Sequence, residues 1–198
     1  MTGTRSFEDA VSFHGHRCPG LALGYRAAGV GLAALDADPA DDEEVVAVVE
    51  NDACGVDGLQ VRTGGTFGKG NLRVLDYGKH VYTFYERSSG RGVRVATRPD
   101  FSTARFDPGF AALRDRVQGG TATPDERDEY ERRLHAVCDA ILAAPADELF
   151  VVTPIAGPPP EPARIHRSVP CDECGESVAE HRLVERDGKR LCIPCARR

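Results

Sequence analysis

The sequence has no tryptophan and a single methionine, and none of its apolar runs reaches the length of a membrane-spanning helix. A helix that crosses a bilayer needs about 20 predominantly apolar residues. The first residues, MTGTRSFEDAV, also lack the hydrophobic stretch of a secretory signal. We therefore expect a protein that makes no membrane contact and is located in the cytoplasm.

An excess of positive charge is also missing. The 198 residues carry a net charge of -6, with 8 basic and 7 acidic residues in 161–198 and 17 basic and 24 acidic residues in 1–160. Nucleic-acid-binding proteins usually show a basic patch or stripe. The charge distribution therefore argues against nucleic acid as a partner. It favours solubility and indicates no other class of partner.

The glycine-rich segment TGGTFGKGN, at residues 63–71, does not form a known nucleotide-binding motif. In a phosphate loop Ser or Thr follows the lysine, whereas here Gly70 follows Lys69. The segment also lacks the G-x-G-x-x-G pattern. Two interpretations stay open: Lys69 could bind an anion within a nest of backbone N–H groups, or the glycines could allow close packing.

The apolar pattern predicts an α+β fold, a mixed or antiparallel sheet covered by helices. β-Branched and alternating segments predict strands at 44–50, 72–75, 79–87, 92–98 and 149–153. Helices are predicted at 6–13, 19–35, 53–62, 108–117 and 124–144. Pro19 suits the first turn of its helix, where the missing N–H costs nothing.

The chain is predicted to contain a core domain at 1–153, a proline-rich linker at 154–169 and a small module at 170–198. The linker includes Pro158, Pro159 and Pro160, a sequence typical of a semi-rigid extended segment. A module of about 30 residues buries too little apolar surface to fold alone. It therefore needs a metal ion or disulfides.

Four cysteines in the module follow the spacing C-x2-C-x17-C-x2-C: Cys171, Cys174, Cys192 and Cys195. This spacing is typical of a four-cysteine zinc site. Asp187 and Gly188 predict a hairpin turn between the two pairs, so the module resembles a treble clef. Two disulfides or four free thiols are the alternative. Four thiolates leave no open position on zinc, so the site is expected to be structural.

A second group of candidate ligands, His14, His16 and Cys18, precedes the helix that begins at Pro19. In an extended segment alternate residues face the same side, so the three side chains could converge. The helix N-terminus is expected to lower the pKa of Cys18, and Cys54 occupies a similar position. Imidazole and thiolate ligands suit zinc, iron or nickel. The alternative is a turn of buried, hydrogen-bonded polar residues.

The segments FHGHRCPGLALGYRA, ENDACGVDGLQVRTGGTFGKGNL and DYGK resemble the FmdE family, named after formylmethanofuran dehydrogenase, over roughly residues 7–150. The resemblance implies an α+β core similar to the catalytic domain of glyceraldehyde-3-phosphate dehydrogenase, and a homodimer. Members with an added C-terminal zinc finger are similar to the whole chain. The name does not establish formylmethanofuran chemistry, because such proteins also occur apart from that enzyme.

The resemblance also implies a cleft, with metal bound in some members. The cleft residues implied are His16, Cys18, Cys54, Asp57, Gln60 and Lys69. Of these, Cys18, Cys54 and Lys69 are the candidate catalytic residues, and Asp57 and Gln60 the candidate cofactor-binding residues. The family commonly has TGCT where this chain has TGGT, so Gly65 replaces a cysteine.

Two hypotheses for function follow. In the first, the core cleft binds a second transition metal through His14, His16, Cys18 and Cys54, or a small anionic ligand, and supports redox or transfer chemistry. In the second, the protein is a non-catalytic regulatory or interaction protein of metal or molybdate metabolism. Its zinc module would then bind a protein partner.

Overall fold

The computed structural model describes residues 5–198. The chain divides into two compact units, one that ends at Pro162 and one that comprises Ala163–Arg198. Each unit has its own buried cluster of apolar side chains. The two are therefore described separately.

Among the described residues, the first unit combines six α-helices and a 3-10 turn at Thr103–Arg105 with one five-stranded sheet. Its helices are α1 Phe7–His14, α2 Pro19–Leu35, α3 Gly55–Thr63, α4 Phe110–Gln118, α5 Pro124–Ala143 and α6 Ala146–Leu149. Its strands are β1 Val45–Val49, β2 Leu72–Val74, β3 Val81–Glu86, β4 Gly92–Thr97 and β5 Phe150–Ile155. The mixed α+β architecture that the apolar pattern predicts is confirmed.

The sheet has the strand order β2-β1-β3-β4-β5. β1 pairs with β2 in parallel, with Ala47 opposite Leu72, and every other pair is antiparallel. Tyr82 and Phe84 of β3 are fully buried on the sheet face that packs against the helices. This face carries most of the apolar core of the unit.

Glycines allow α2 and α3 to pack with their backbones in direct contact. A Cβ atom on Gly24 would lie 1.9 Å from the carbonyl oxygen of Gly55, and one on Gly58 would lie 2.5 Å from that of Leu21. The N-termini of both helices, which carry the core cysteines, also lie side by side. The evidence is at Gly20 in α2, where a Cβ atom would contact Cys54.

The second unit is built from two short hairpins, a 3-10 turn at Glu180–Arg182 and one turn of α-helix. Its elements are β6 Ser168–Pro170, β7 Ser177–Ala179, β8 Val184–Arg186, β9 Lys189–Leu191 and α7 Ile193–Ala196. Asp187 and Gly188 have φ values of 50° and 73°, which a two-residue turn of this kind requires. The predicted hairpin and C-terminal helical turn are therefore confirmed.

One local prediction is wrong. Residues 14–18 do not form an extended segment, because His14 is the last residue of α1. Gly15 then reverses the chain with a φ of 93°, a conformation that glycine adopts without strain. At the predicted linker, β5 continues to Ile155 and β6 begins at Ser168.

Within residues 5–198, no helix combines the length and the apolar character that are needed to cross a membrane.

Candidate functional site

The four cysteines of the second unit form one tight cluster. Their sulfur atoms all lie within 4.8 Å of one another, and the Sγ atoms of Cys174 and Cys192 are 3.9 Å apart. In a tetrahedral zinc site with Zn–S bonds of about 2.3 Å, sulfur atoms lie about 3.8 Å apart. All four cysteines are free of disulfides. The cluster therefore fits a structural zinc ion.

Backbone N–H groups prepare one of these sulfurs for metal binding. The N–H groups of Cys174, Cys192 and Glu173 lower the pKa of Cys171 to about 6, and that of Cys192 lies 3.3 Å from the sulfur. Hydrogen bonds of this kind stabilise the thiolate, which is the form that binds zinc. The two cysteine turns thus preorganise the site as well as supplying ligands.

The predicted convergence of three residues in the first unit is also found. The side-chain ligand atoms of His14, His16 and Cys18 lie within 4.8 Å of one another, although they do so around a helix end rather than along a strand. Nε2 of His14 is 3.9 Å from Sγ of Cys18. The two imidazole rings lie 4.4 Å apart. The set contains two nitrogen donors and one sulfur donor.

Asp57 holds the ring of His14 in place. Its Oδ2 accepts a hydrogen bond of 2.7 Å from Nδ1 of His14, a side chain that is only 12% exposed. With the proton on Nδ1, the lone pair of Nε2 faces Cys18. Metal-binding histidines usually have such a carboxylate on the other ring nitrogen. The arrangement of Asp57 is therefore that of a residue supporting a metal ligand.

Cys18 and Cys54 are neighbours because each precedes the first turn of one of the paired helices, α2 and α3. A Cβ atom on Gly20 would lie only 3.4 Å from the Cβ of Cys54. The N–H of Leu21 donates to the sulfur of Cys18. Burial nevertheless dominates and raises the pKa of Cys18 to about 11. The prediction of a lowered pKa for this thiol is therefore wrong.

A cavity of about 660 Å³ opens beside this cluster, and His16, Cys18 and Cys54 line it. Sequence reasoning missed the opposite wall, which α4 and α5 provide. That wall includes Arg114, Tyr130, Glu131, Leu134 and His135. The four α5 residues recur at helical spacing and therefore lie on one face of the helix. That spacing is the sequence feature from which this wall could have been predicted.

The other predicted cleft residues divide between two places. Asp57 and Gln60 line a smaller cavity of about 440 Å³ with His14 and Cys54. Lys69 lies elsewhere, since its Nζ donates to the backbone oxygen of Asp41 and it lines neither cavity. Gly65 is buried, and a Cβ atom there would lie 3.2 Å from Oγ1 of Thr63.

Fold and sites together define a class of protein: an α+β domain with a histidine–cysteine cluster, joined to a four-cysteine zinc finger. Residues 13–151 match the family described as "FmdE, Molybdenum formylmethanofuran dehydrogenase operon", and the chain belongs to that family. Residues 164–198 match the prokaryotic dksA/traR C4-type zinc finger. The resemblance to the FmdE family is thereby confirmed.

A curated relative and a solved structure extend these matches. The chain is 33% identical over 201 residues to a probable S-adenosyl-L-methionine-binding protein of Archaeoglobus fulgidus, in a match that covers 98% of this chain and 53% of the relative. The chain thus spans about half the length of that relative. The structure of a tungsten formylmethanofuran dehydrogenase FmdE-like protein from Syntrophus aciditrophicus has the same fold. Its TM-score is 0.62 at 22% identity, with 96% of this chain and 92% of that chain covered.

Proposed function

We propose that the core of this protein is a metal-binding domain whose ion is held by His14, His16 and Cys18. The observation that carries the proposal is the Asp57–His14 hydrogen bond, 2.7 Å long, which aims the free nitrogen of His14 at Cys18. A turn of merely structural polar residues would not need a carboxylate in this position. The protein would then bind two metal ions, one in each unit.

The donor set supports this proposal and limits the choice of metal. Two imidazoles and a thiolate suit zinc, iron or nickel better than magnesium or calcium. Burial disfavours the free Cys18 thiolate, and a bound cation would offset that cost. Three protein ligands leave a position for a small ligand, as in catalytic rather than structural sites.

The cavity of about 660 Å³ beside His16, Cys18 and Cys54 is the proposed place for that small ligand. A bound metal there would supply Lewis-acid chemistry and, if it is iron or nickel, redox chemistry. On the opposite wall, His135 and Arg114, whose guanidinium also pairs with Asp115, would contact an anionic group. Cys54 lies at the same cavity and is available as a nucleophile or as a further ligand.

Four other expectations stay predictions. These are the homodimer, the protein partner of the finger, the cytoplasmic location and the likeness to the glyceraldehyde-3-phosphate dehydrogenase domain. The name of the Archaeoglobus relative describes a protein of which about half lies outside the match. We therefore do not transfer S-adenosylmethionine binding to this chain.

Elemental analysis of the purified full-length protein tests the proposal. We expect two metal equivalents per chain, one for each cluster. Replacement of a ligand, Cys18→Ser or His16→Ala, should reduce the content to one equivalent, because the finger keeps its zinc. Cys138→Ala is the matched control, since Cys138 is fully buried in α5 and belongs to neither cluster.

One equivalent in the wild-type protein, unchanged by Cys18→Ser, would contradict the proposal. The polar residues of the core cluster would then have a structural role only. A non-catalytic role that acts through the zinc finger would become the better hypothesis.

A further inference from the structure

A second large cavity lies on another side of the first turn of α2. Its volume is about 600 Å³, and it shares only Pro19 and Gly20 with the cavity beside the histidine–cysteine cluster. The rest of its lining comes from α2, from the approach to β3, and from the end of β4 and the residues after it. Neither the family resemblance nor the metal proposal uses this cavity.

The polar part of the lining is basic. Lys79, His80 and Arg98 face the cavity, and no aspartate or glutamate of the described chain lines it. Lys79 is only loosely paired, with its Nζ 3.9 Å from Glu50, and Arg98 contacts the exposed Asp100 through Nε. The imidazole of His80 has no hydrogen bond or ion pair within residues 5–198. The local charge therefore favours an anionic ligand.

Thr97 adds a hydroxyl that lacks a hydrogen-bond partner within residues 5–198. Side chains alternate along a strand, so Thr97 shares the inward face of β4 with the buried Val93 and Val95. Its Oγ1 is inaccessible to solvent, yet it makes no hydrogen bond. A buried hydroxyl without a partner costs free energy. Because an oxygen that is inaccessible to solvent is also out of reach of a ligand in the open cavity, the contact with an anion is assigned to Lys79 and Arg98 alone.

The remaining lining is apolar and comes mainly from Leu23, Val81, Pro99 and Phe101. Cavities of this size, largely apolar with a few polar groups, are typical of small-molecule sites. We propose that this cavity binds a small organic anion. Its carboxylate or phosphate group would contact Lys79 and Arg98, and its apolar body would pack against Leu23 and Phe101.

Titration of the full-length protein with benzoate, phenyl phosphate and the neutral benzyl alcohol tests this proposal by calorimetry and amide NMR. We expect at least one of the two anions to bind with a Kd of about 1 mM or tighter and to shift the amide signals of residues 97–101. Benzyl alcohol should bind at least about tenfold more weakly. Benzoate and phenyl phosphate distinguish a carboxylate from a phosphate ligand.

Three variants locate the binding. Lys79→Gln and Arg98→Gln should each weaken the binding roughly tenfold. Thr97→Val should leave the binding unchanged, because its hydroxyl is inaccessible to solvent and therefore to a ligand. Arg105→Gln is the matched control, since Arg105 pairs with Glu148 outside the cavity.

Failure of both anions to bind would overturn the proposal. Equal affinity for benzyl alcohol, or affinities that Lys79→Gln and Arg98→Gln leave unchanged, would do the same. The metal content of every variant should match the wild type. A loss of anion binding is therefore distinguishable from a failure of the proposed core metal site.

Discussion

At the scale of single residues, the core cluster depends on how one imidazole is oriented. His14 ends the last turn of α1 and would rotate freely about its side-chain bonds without a partner. The carboxylate of Asp57, on the first turn of α3, fixes the ring and the proton on Nδ1. This contact joins residues that are 43 positions apart in the sequence.

Asp57→Asn should therefore weaken metal binding in the core. The amide keeps the shape of the carboxylate but loses its charge and makes the ligand nitrogen less basic. Loss of such supporting groups typically reduces metal affinity by roughly 10–100-fold. Competition with a chromophoric chelator measures the effect, while the finger keeps its zinc.

Asp52→Asn is the control for this measurement. Asp52 lines the cavity of about 440 Å³ together with Asp57. It is exposed, however, and makes no hydrogen bond or ion pair with His14 in the described chain. An unchanged affinity in Asp57→Asn would show that the carboxylate does not support a ligand.

At the scale of elements, the close contact between α2 and α3 positions both core cysteines. Helix axes approach so closely only where the facing residues lack side chains, and Gly24 and Gly55 provide that. Because each helix begins just after its cysteine, the same contact brings Cys18 and Cys54 together. The geometry of the site thus depends on glycines that carry no chemistry.

Gly24→Ala should be strongly destabilising, because its Cβ would lie 1.9 Å from a backbone oxygen that cannot move independently. Overpacking of this kind typically costs about 1–3 kcal/mol and sometimes more. Chemical denaturation of the full-length protein measures the loss, and metal analysis shows whether the core cluster is disturbed as well.

Gly29→Ala in the same helix is the matched comparison. Its Cβ would meet only the end of the Arg62 side chain, at 3.5 Å. Because alanine has the better helix propensity, Gly29→Ala should then raise the free energy of unfolding by at most about 1 kcal/mol. Equal effects of the two substitutions would refute the assigned role of the helix contact.

At the scale of the whole molecule, the two units have separate sources of stability. The first buries a large apolar core, whereas the second buries little besides Val169, Leu191 and three of its cysteines. Zinc must therefore supply most of the folding free energy of the second unit. The first unit does not need it.

Cys192→Ser should unfold the second unit and leave the first intact. One metal equivalent should be lost, and trypsin should cleave the full-length variant after Arg186 and Lys189, in the hairpin between the cysteine pairs. The thermal transition of the first unit should stay unchanged. A hairpin that still resists trypsin after loss of the metal would contradict the role assigned to zinc.

Features that depend on local order along the chain were predictable from the sequence alone. The cysteine spacing predicted the finger cluster, and the alternation of apolar residues predicted the strands and helices of the α+β fold. The Asp187–Gly188 turn was predictable because its backbone angles suit few other residue pairs.

The surroundings of these residues depend instead on how the chain packs in three dimensions. Convergence of His14, His16 and Cys18 was expected on a strand, but it arises from a helix end and a reversal at Gly15. Contacts between distant segments determine three further features: the wall formed by α5, the position of Lys69 outside the cleft and the raised pKa of Cys18. Burial outweighs the local N–H groups at Cys18, and burial is a property of the packed chain.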